Sequence, residues 1–172
     1  VWKFHAPVLF PHVGRIKDGF YTVNGQEYHL VNNGMSRDME HTVIEQSPLS
    51  VTFELTESEE TKDKYPWKFS LKTYYELKEN GLLFTTSVTN TDSSPILFSL
   101  GSHTAFCCPR NTDPEGTTNA DYQYEFQVKE PLTQVLLNEN AQLRSDEEGT
   151  APCTAPYGEK DAGIIPINAE GF

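Results

Sequence analysis

Apolar and polar residues alternate with period two along much of the chain, the pattern of strands that turn one face to a core and the other to water. Val51, Phe53 and Leu55 fall on one side of such a strand, with Thr52 and Glu54 on the other. Residues 20–23 and 26–30 flank Asn24-Gly25, and an Asn-Gly pair tolerates the positive φ that a type I′ turn demands, so the pattern predicts a tight hairpin. Residues 67–77 alternate again and, after Glu79-Asn80-Gly81, the chain returns as 82–88, rich in Phe, Thr and Val. These predict a second, longer hairpin. Further strands are expected at 95–100, at 122–128 and from His41 onward. The one helical stretch is 58–64, stopped by Pro66. With no alternation of strands and helices, the expected class is all-β, an antiparallel sandwich or barrel.

Beyond about Asn138 the periodicity fails. Acidic residues, Gly and Pro mix through 145–158, which reads as loop, and Ile164-Ile165-Pro166-Ile167 starts a strand with no partner in view before Phe172. The 172 residues are read as one domain spanning 1–172, loop-rich from 143. Both ends, apolar Val1-Trp2 and the unpartnered strand near Phe172, read as cuts through a larger protein.

Composition narrows the partners. Ten Phe, eight Tyr and two Trp supply a core without metal or disulfides. Thirteen basic against 25 acidic residues give a net charge of −12, a field that repels phosphate backbones and anionic lipid. Nucleic acid and membranes are therefore excluded as expected partners. No apolar run approaches the ~20 residues that span a bilayer, and the opening residues lack the charged and apolar regions of a signal peptide. Cys107-Cys108 and Cys153 fit neither a disulfide framework nor C-x-x-C metal spacing, and Cys107 and Cys108, with no basic neighbour but Arg110, read as buried or inert thiols. With no N-x-[ST] acceptor either, a cytoplasmic setting is expected.

Five histidines are the acid–base candidates, since an unperturbed imidazole titrates near 6.5. None has the His-x-His or His-x-x-x-His spacing of a zinc site. His103 stands out because it follows a strand and Gly101; it is either a histidine bonded to backbone or a side chain aimed into a cleft. Arg15, among turn residues of Gly14-Arg15-Ile16-Lys17-Asp18-Gly19, can pair with Asp18 on the surface or hold two sugar oxygens or a carboxylate in its planar fork. Asn33, in Asn33-Gly34-Met35-Ser36-Arg37-Asp38, is either turn chemistry or an amide that hydrogen-bonds a ligand. Glu57, Glu59 and Glu60 read as a solvated face.

At these residues the chain resembles the aldose 1-epimerase (galactose mutarotase) family, in its LacX-like branch. The resemblance runs through residues 6–11, Gly14-Arg15-Ile16-Lys17-Asp18-Gly19, 21–28, 34–40, Tyr65-Pro66, Asn90-Thr91-Asp92 and 98–109, and more faintly to 136–140. It implies a large antiparallel β-sandwich, the galactose mutarotase-like supersandwich, and interconversion of the anomers of a free aldose such as galactose or glucose. In that chemistry a general acid protonates the ring oxygen while a general base takes the anomeric hydroxyl proton; the ring opens, rotates and recloses. No metal or organic cofactor is needed.

By resemblance His103 matches the family's general acid, Arg15 its substrate-holding arginine, and both are expected to face one open cleft. Asn33 stands where the family carries a second histidine before the glycine, and is expected to bind a hydroxyl without transferring protons. Thr104 replaces a usual proline. The family's general base is a glutamate in the C-terminal part; neither Glu159 nor Glu170 sits in a matching motif, so that role is assigned to no residue. Residues 1–172 by themselves are accordingly expected to lack most mutarotase activity. The alternatives are a carbohydrate-binding relative without catalysis and, from the fold alone, a carboxylate-based glycoside hydrolase or lyase accessory domain.

Overall fold

A computed structural model describes residues 5–127, 132–140, 142–146, 151–157 and 164–167. The chain forms two compact units, Val1–Thr104 and Ala105–Phe172. The first holds strands β1 (Val8–Leu9), β2 (Phe20–Val23), β3 (Gln26–His29), β4 (Thr42–Gln46), β5 (Ser50–Thr56), β6 (Phe69–Lys78), β7 (Gly81–Asn90) and β8 (Gly101–Ser102), with a single α-helical turn among the described residues, α1 (Glu59–Lys62), and 3-10 turns at Lys17–Gly19 and Ser36–Asp38. The second holds β9 (Gln123–Glu125), β10 (Leu132–Val135), β11 (Thr154–Tyr157) and β12 (Ile164–Pro166). Every named strand pair is antiparallel, and the all-β class holds.

Local chemistry explains the best-formed pieces. Val23 pairs with Gln26 across Asn24-Gly25, whose φ values of 50° and 82° are the two positive angles of a type I′ turn. β6 and β7 pair over ten residues from Phe69↔Asn90 to Lys78↔Gly81, and with β4 and β5 they complete a sheet in the order β4-β5-β6-β7. Phe69, Leu71 and Leu55 turn to the core while Ser70, Lys72 and Glu54 share the other face, where Ser70 bonds Glu54 and Lys72 lies 3.8 Å from it. Thr52, on that polar face, is nevertheless buried, and Val51 and Phe53 are only half-buried. The helix is capped by Ser58, whose hydroxyl accepts the Thr61 N–H while Thr61 returns a bond to the Ser58 N–H. Its Glu59–Lys62 and Glu60–Lys64 pairs are exposed, the solvated face expected of that run.

The core of the first unit gathers Val8, Phe10, Leu30, Met35, Leu55, Tyr65, Phe69 and Leu71. Phe10 is fully buried, with ring centroids 4.9 Å from Phe69, 5.6 Å from Tyr65 and 5.8 Å from Phe98. Burying such a side chain contributes roughly 1.5–3 kcal/mol. This cluster fixes the backbone of residues 8–10, on which the candidate site is built.

Four expected elements are corrected. Residues 95–100 form no strand: the stretch is anchored by the Ser99 N–H to Pro11 O bond, and Pro11 has no N–H to return. Within the stretch read as loop, β11 pairs with β10, from Leu132↔Tyr157 to Val135↔Thr154. Ile164–Pro166 does find a partner, β9, far upstream. The strand expected at 122–128 is limited to β9, and Val128 lies outside the described residues.

The turn after β7 makes a pH prediction. The Lys68 N–H above all, then the N–H and hydroxyl of Ser94, bond the Asp92 carboxylate at 2.9–3.0 Å and hold it down at about 2. A depressed carboxyl contributes stability that is complete above its unfolded value near 3.9 and is lost as pH falls through the folded one. Carboxyl-carbon NMR of Asp92 should therefore show a midpoint near 2; an ordinary midpoint would mean the turn is open in solution.

Candidate functional site

The three residues singled out by sequence lie on three segments of the first unit that share one strand. On one side of β1, β8 pairs Val8↔Ser102 and Leu9↔Gly101, and the pairing is extended by His103 N–H to Pro7 O at 3.1 Å and Ser99 N–H to Pro11 O at 2.9 Å. Val13 N–H bonds the Ser99 hydroxyl at 2.9 Å. On the other side Phe10 bridges Gly34 in parallel, and its carbonyl accepts the N–H groups of Met35 and Ser36 at 2.9 and 3.1 Å. Buried Val8, Leu9, Phe10 and Met35 anchor the arrangement.

Asn33 is brought against the turn that carries Arg15. Its side-chain Oδ1 accepts the Gly14 N–H at 2.9 Å, and its own N–H donates to Gly14 O at 2.8 Å. Asn33 is half-buried and Arg15 exposed. His103, also exposed, sits beside Pro7, toward the far end of the shared strand from Arg15.

Among the cavities formed by the described residues of this unit, two bring histidines together with aromatic or polar side chains, and neither of these is lined by Arg15, Asn33 or His103. One, of about 510 Å³, is walled mainly by Ile16, Leu30, Tyr21, Tyr65, Trp67 and Phe98, with His12 on its edge. Burial lowers the pKa of His12, which favours the neutral imidazole, and pushes the Tyr65 hydroxyl up to about 12. That hydroxyl donates to Leu97 O at 3.1 Å. The second cavity, about 220 Å³, gathers His5, Ser36, Arg37, His41, Thr73 and Tyr75. His41 Nε2 lies 3.0 Å from Ser36 O, and Thr73 Oγ1 is buried without a partner among the described residues. Sequence reasoning missed both groupings, since His12 and His5 lie in proline-rich text with no spacing signal.

Among the described residues no group of three or more His, Cys, Asp or Glu side chains could hold a metal ion, and no helix is long and apolar enough to cross a membrane. The cysteines form no disulfide, with Cys107 exposed and Cys108 and Cys153 half-buried, so of the two readings for the adjacent pair, burial does not hold. Glu159 and Glu170 lie outside the described residues.

Residues 2–151 match the family described as aldose 1-epimerase. Plasmid protein LacX of Lactococcus lactis subsp. lactis is 30% identical over 131 residues, covering 73% of this chain and 43% of LacX. The X-ray structure of a galactose mutarotase related enzyme from Lactobacillus acidophilus superposes with a TM-score of 0.84 at 30% identity, over 98% of this chain and 52% of that one. A galactose mutarotase-like protein from Lactobacillus casei ATCC 334 gives 0.83 at 26% identity, over 99% and 55%. The chain thus spans about half the length of these relatives. Its antiparallel strands follow the same architecture, and the family match covers Arg15, Asn33 and His103 alike. On this match the chain belongs to the aldose 1-epimerase family.

Proposed function

We propose that the protein carrying this chain interconverts the α and β anomers of a free aldohexose. Family membership supports a sugar-directed isomerase, and one observation carries the assignment of residues: the segments bearing Arg15, Asn33 and His103 are hydrogen-bonded to a single anchored stretch, residues 7–14. His103 is the general acid toward the ring oxygen and Arg15 holds sugar oxygens through its fork. The Asn33 carbonyl oxygen is engaged by Gly14, which leaves its NH₂ group as the donor for a hydroxyl. The base is assigned to no residue named here. Proton transfer of this kind requires neither metal nor organic cofactor, and the reading takes 1–172 as part of one mutarotase-like sandwich working in the cytoplasm.

A second reading, a carbohydrate-binding relative without catalysis, is favoured by one feature: Asn33 stands where the family has a histidine, and an amide cannot shuttle a proton. Polarimetry of freshly dissolved α-galactose beside a buffer blank separates the two when combined with ligand-detected NMR. The mutarotase reading expects binding together with accelerated relaxation of the optical rotation. Binding at the blank's relaxation rate would establish the binding module instead.

A further inference from the structure

We propose that Asn33 is the positioning residue of Arg15, acting on the sugar through the turn that carries the arginine; this rests on the mutarotase reading above. Asn33 holds both polar groups of Gly14, the N–H through Oδ1 at 2.9 Å and the carbonyl through its own N–H at 2.8 Å. The two residues are 19 apart in sequence, so this is a tertiary clamp and not a local turn. Arg15 is the next residue along. Its side chain is exposed. Fixing the peptide units that lead into it settles where the Cα–Cβ bond of Arg15 points and removes the backbone share of the ordering cost before the sugar arrives.

The clamp stands on a rigid base. Gly34, directly after Asn33, bridges Phe10, and Phe10 is fully buried. Asn33 itself has φ of 67°, a left-handed angle that asparagine adopts more readily than most residues. Few side chains combine that backbone tolerance with a short acceptor oxygen. The residue type is therefore explained by the Gly14 bond without any proton-transfer role.

Two variants isolate the side chain: Asn33→Gly keeps a backbone suited to positive φ and deletes the acceptor, and Asn33→Asp restores an acceptor oxygen. In the protein carrying this chain, Asn33→Gly should speed hydrogen exchange at the Gly14 amide and raise KM for galactose, each about 3- to 10-fold, with kcat moving less. Asn33→Asp should return both toward the starting values. Combined with Arg15→Ala, Asn33→Gly should raise KM by clearly less than it does alone, because the part that acts through the arginine is already lost and only the direct hydroxyl contact of its amide remains. Unchanged Gly14 exchange in Asn33→Gly overturns the clamp, and a full-sized KM effect in the Arg15→Ala background overturns its action through Arg15. If the unmodified protein neither binds nor interconverts galactose, the mutarotase reading and the sugar role of Asn33 fall together. The exchange rate at Gly14 still decides in that case whether the clamp exists.

Discussion

Alanine at His103 is expected to lower kcat for anomer interconversion by about 10²- to 10⁴-fold, the usual contribution of one positioned acid or base. The backbone should tolerate the change. The His103 N–H bonds Pro7 O within the sheet, and alanine retains that bond; the side chain is exposed and outside the buried cluster. KM should therefore move far less than kcat, and thermal unfolding should shift little. Glutamine at the same position gives the sharper comparison, since it can hydrogen-bond a ring oxygen but cannot deliver a proton to it. Polarimetry on both variants reads the effect. A kcat within about threefold of the unmodified protein in either variant would remove His103 from the chemistry.

The elements legible in the sequence are those whose pairing is decided locally. Asn24-Gly25 dictates a turn of one handedness, and β2 and β3 follow from it with the expected register. The alternation through 69–88 and the turn at Glu79-Asn80 similarly set β6 against β7. Residues 95–100 look as strand-like by composition, yet their neighbour is Pro11, which accepts a bond and returns none. β11 is Thr-Ala-Pro-Tyr with hardly any alternation, and its partner β10 lies about twenty residues upstream. Pairings of that separation are chosen by tertiary context.

The candidate site divides along the same line. His103 and Arg15 were found through residue type beside glycine and through family resemblance, both readable in one dimension. The turn at Asn33-Gly34 was legible too, since these residues tolerate the positive φ that each adopts. What Asn33 bonds to was not. Gly14 reaches it because buried Phe10 holds the two segments side by side, a consequence of packing against Tyr65, Phe69 and Phe98. His12 likewise reads as loop histidine until burial beside Tyr65 and Trp67 favours its neutral form.

The largest loss of stability is expected from Gly34→Ala. A methyl group there would lie within 3.0 Å of three backbone atoms, Phe10 O, Phe10 C and Pro11 N, and none can swing aside as a flexible side chain would. The φ of 73° adds about 1–2 kcal/mol for any residue with a Cβ. Relief requires the Phe10 backbone to move, which breaks the bonds from Met35 and Ser36 to its carbonyl, each contributing roughly 0.5–1.5 kcal/mol, and disturbs a fully buried ring. Together these reach about 3–5 kcal/mol, a large part of the ~5–15 kcal/mol typical of a folded domain. Gly25→Ala is the control: its φ is 82° but nothing lies within 4 Å of the added methyl, so it carries the conformational cost alone. Urea midpoints for the two variants measure the difference. Equal midpoints would mean that residues 10 and 34 are not in contact as described, and the strand holding Arg15, Asn33 and His103 together would lose its anchor.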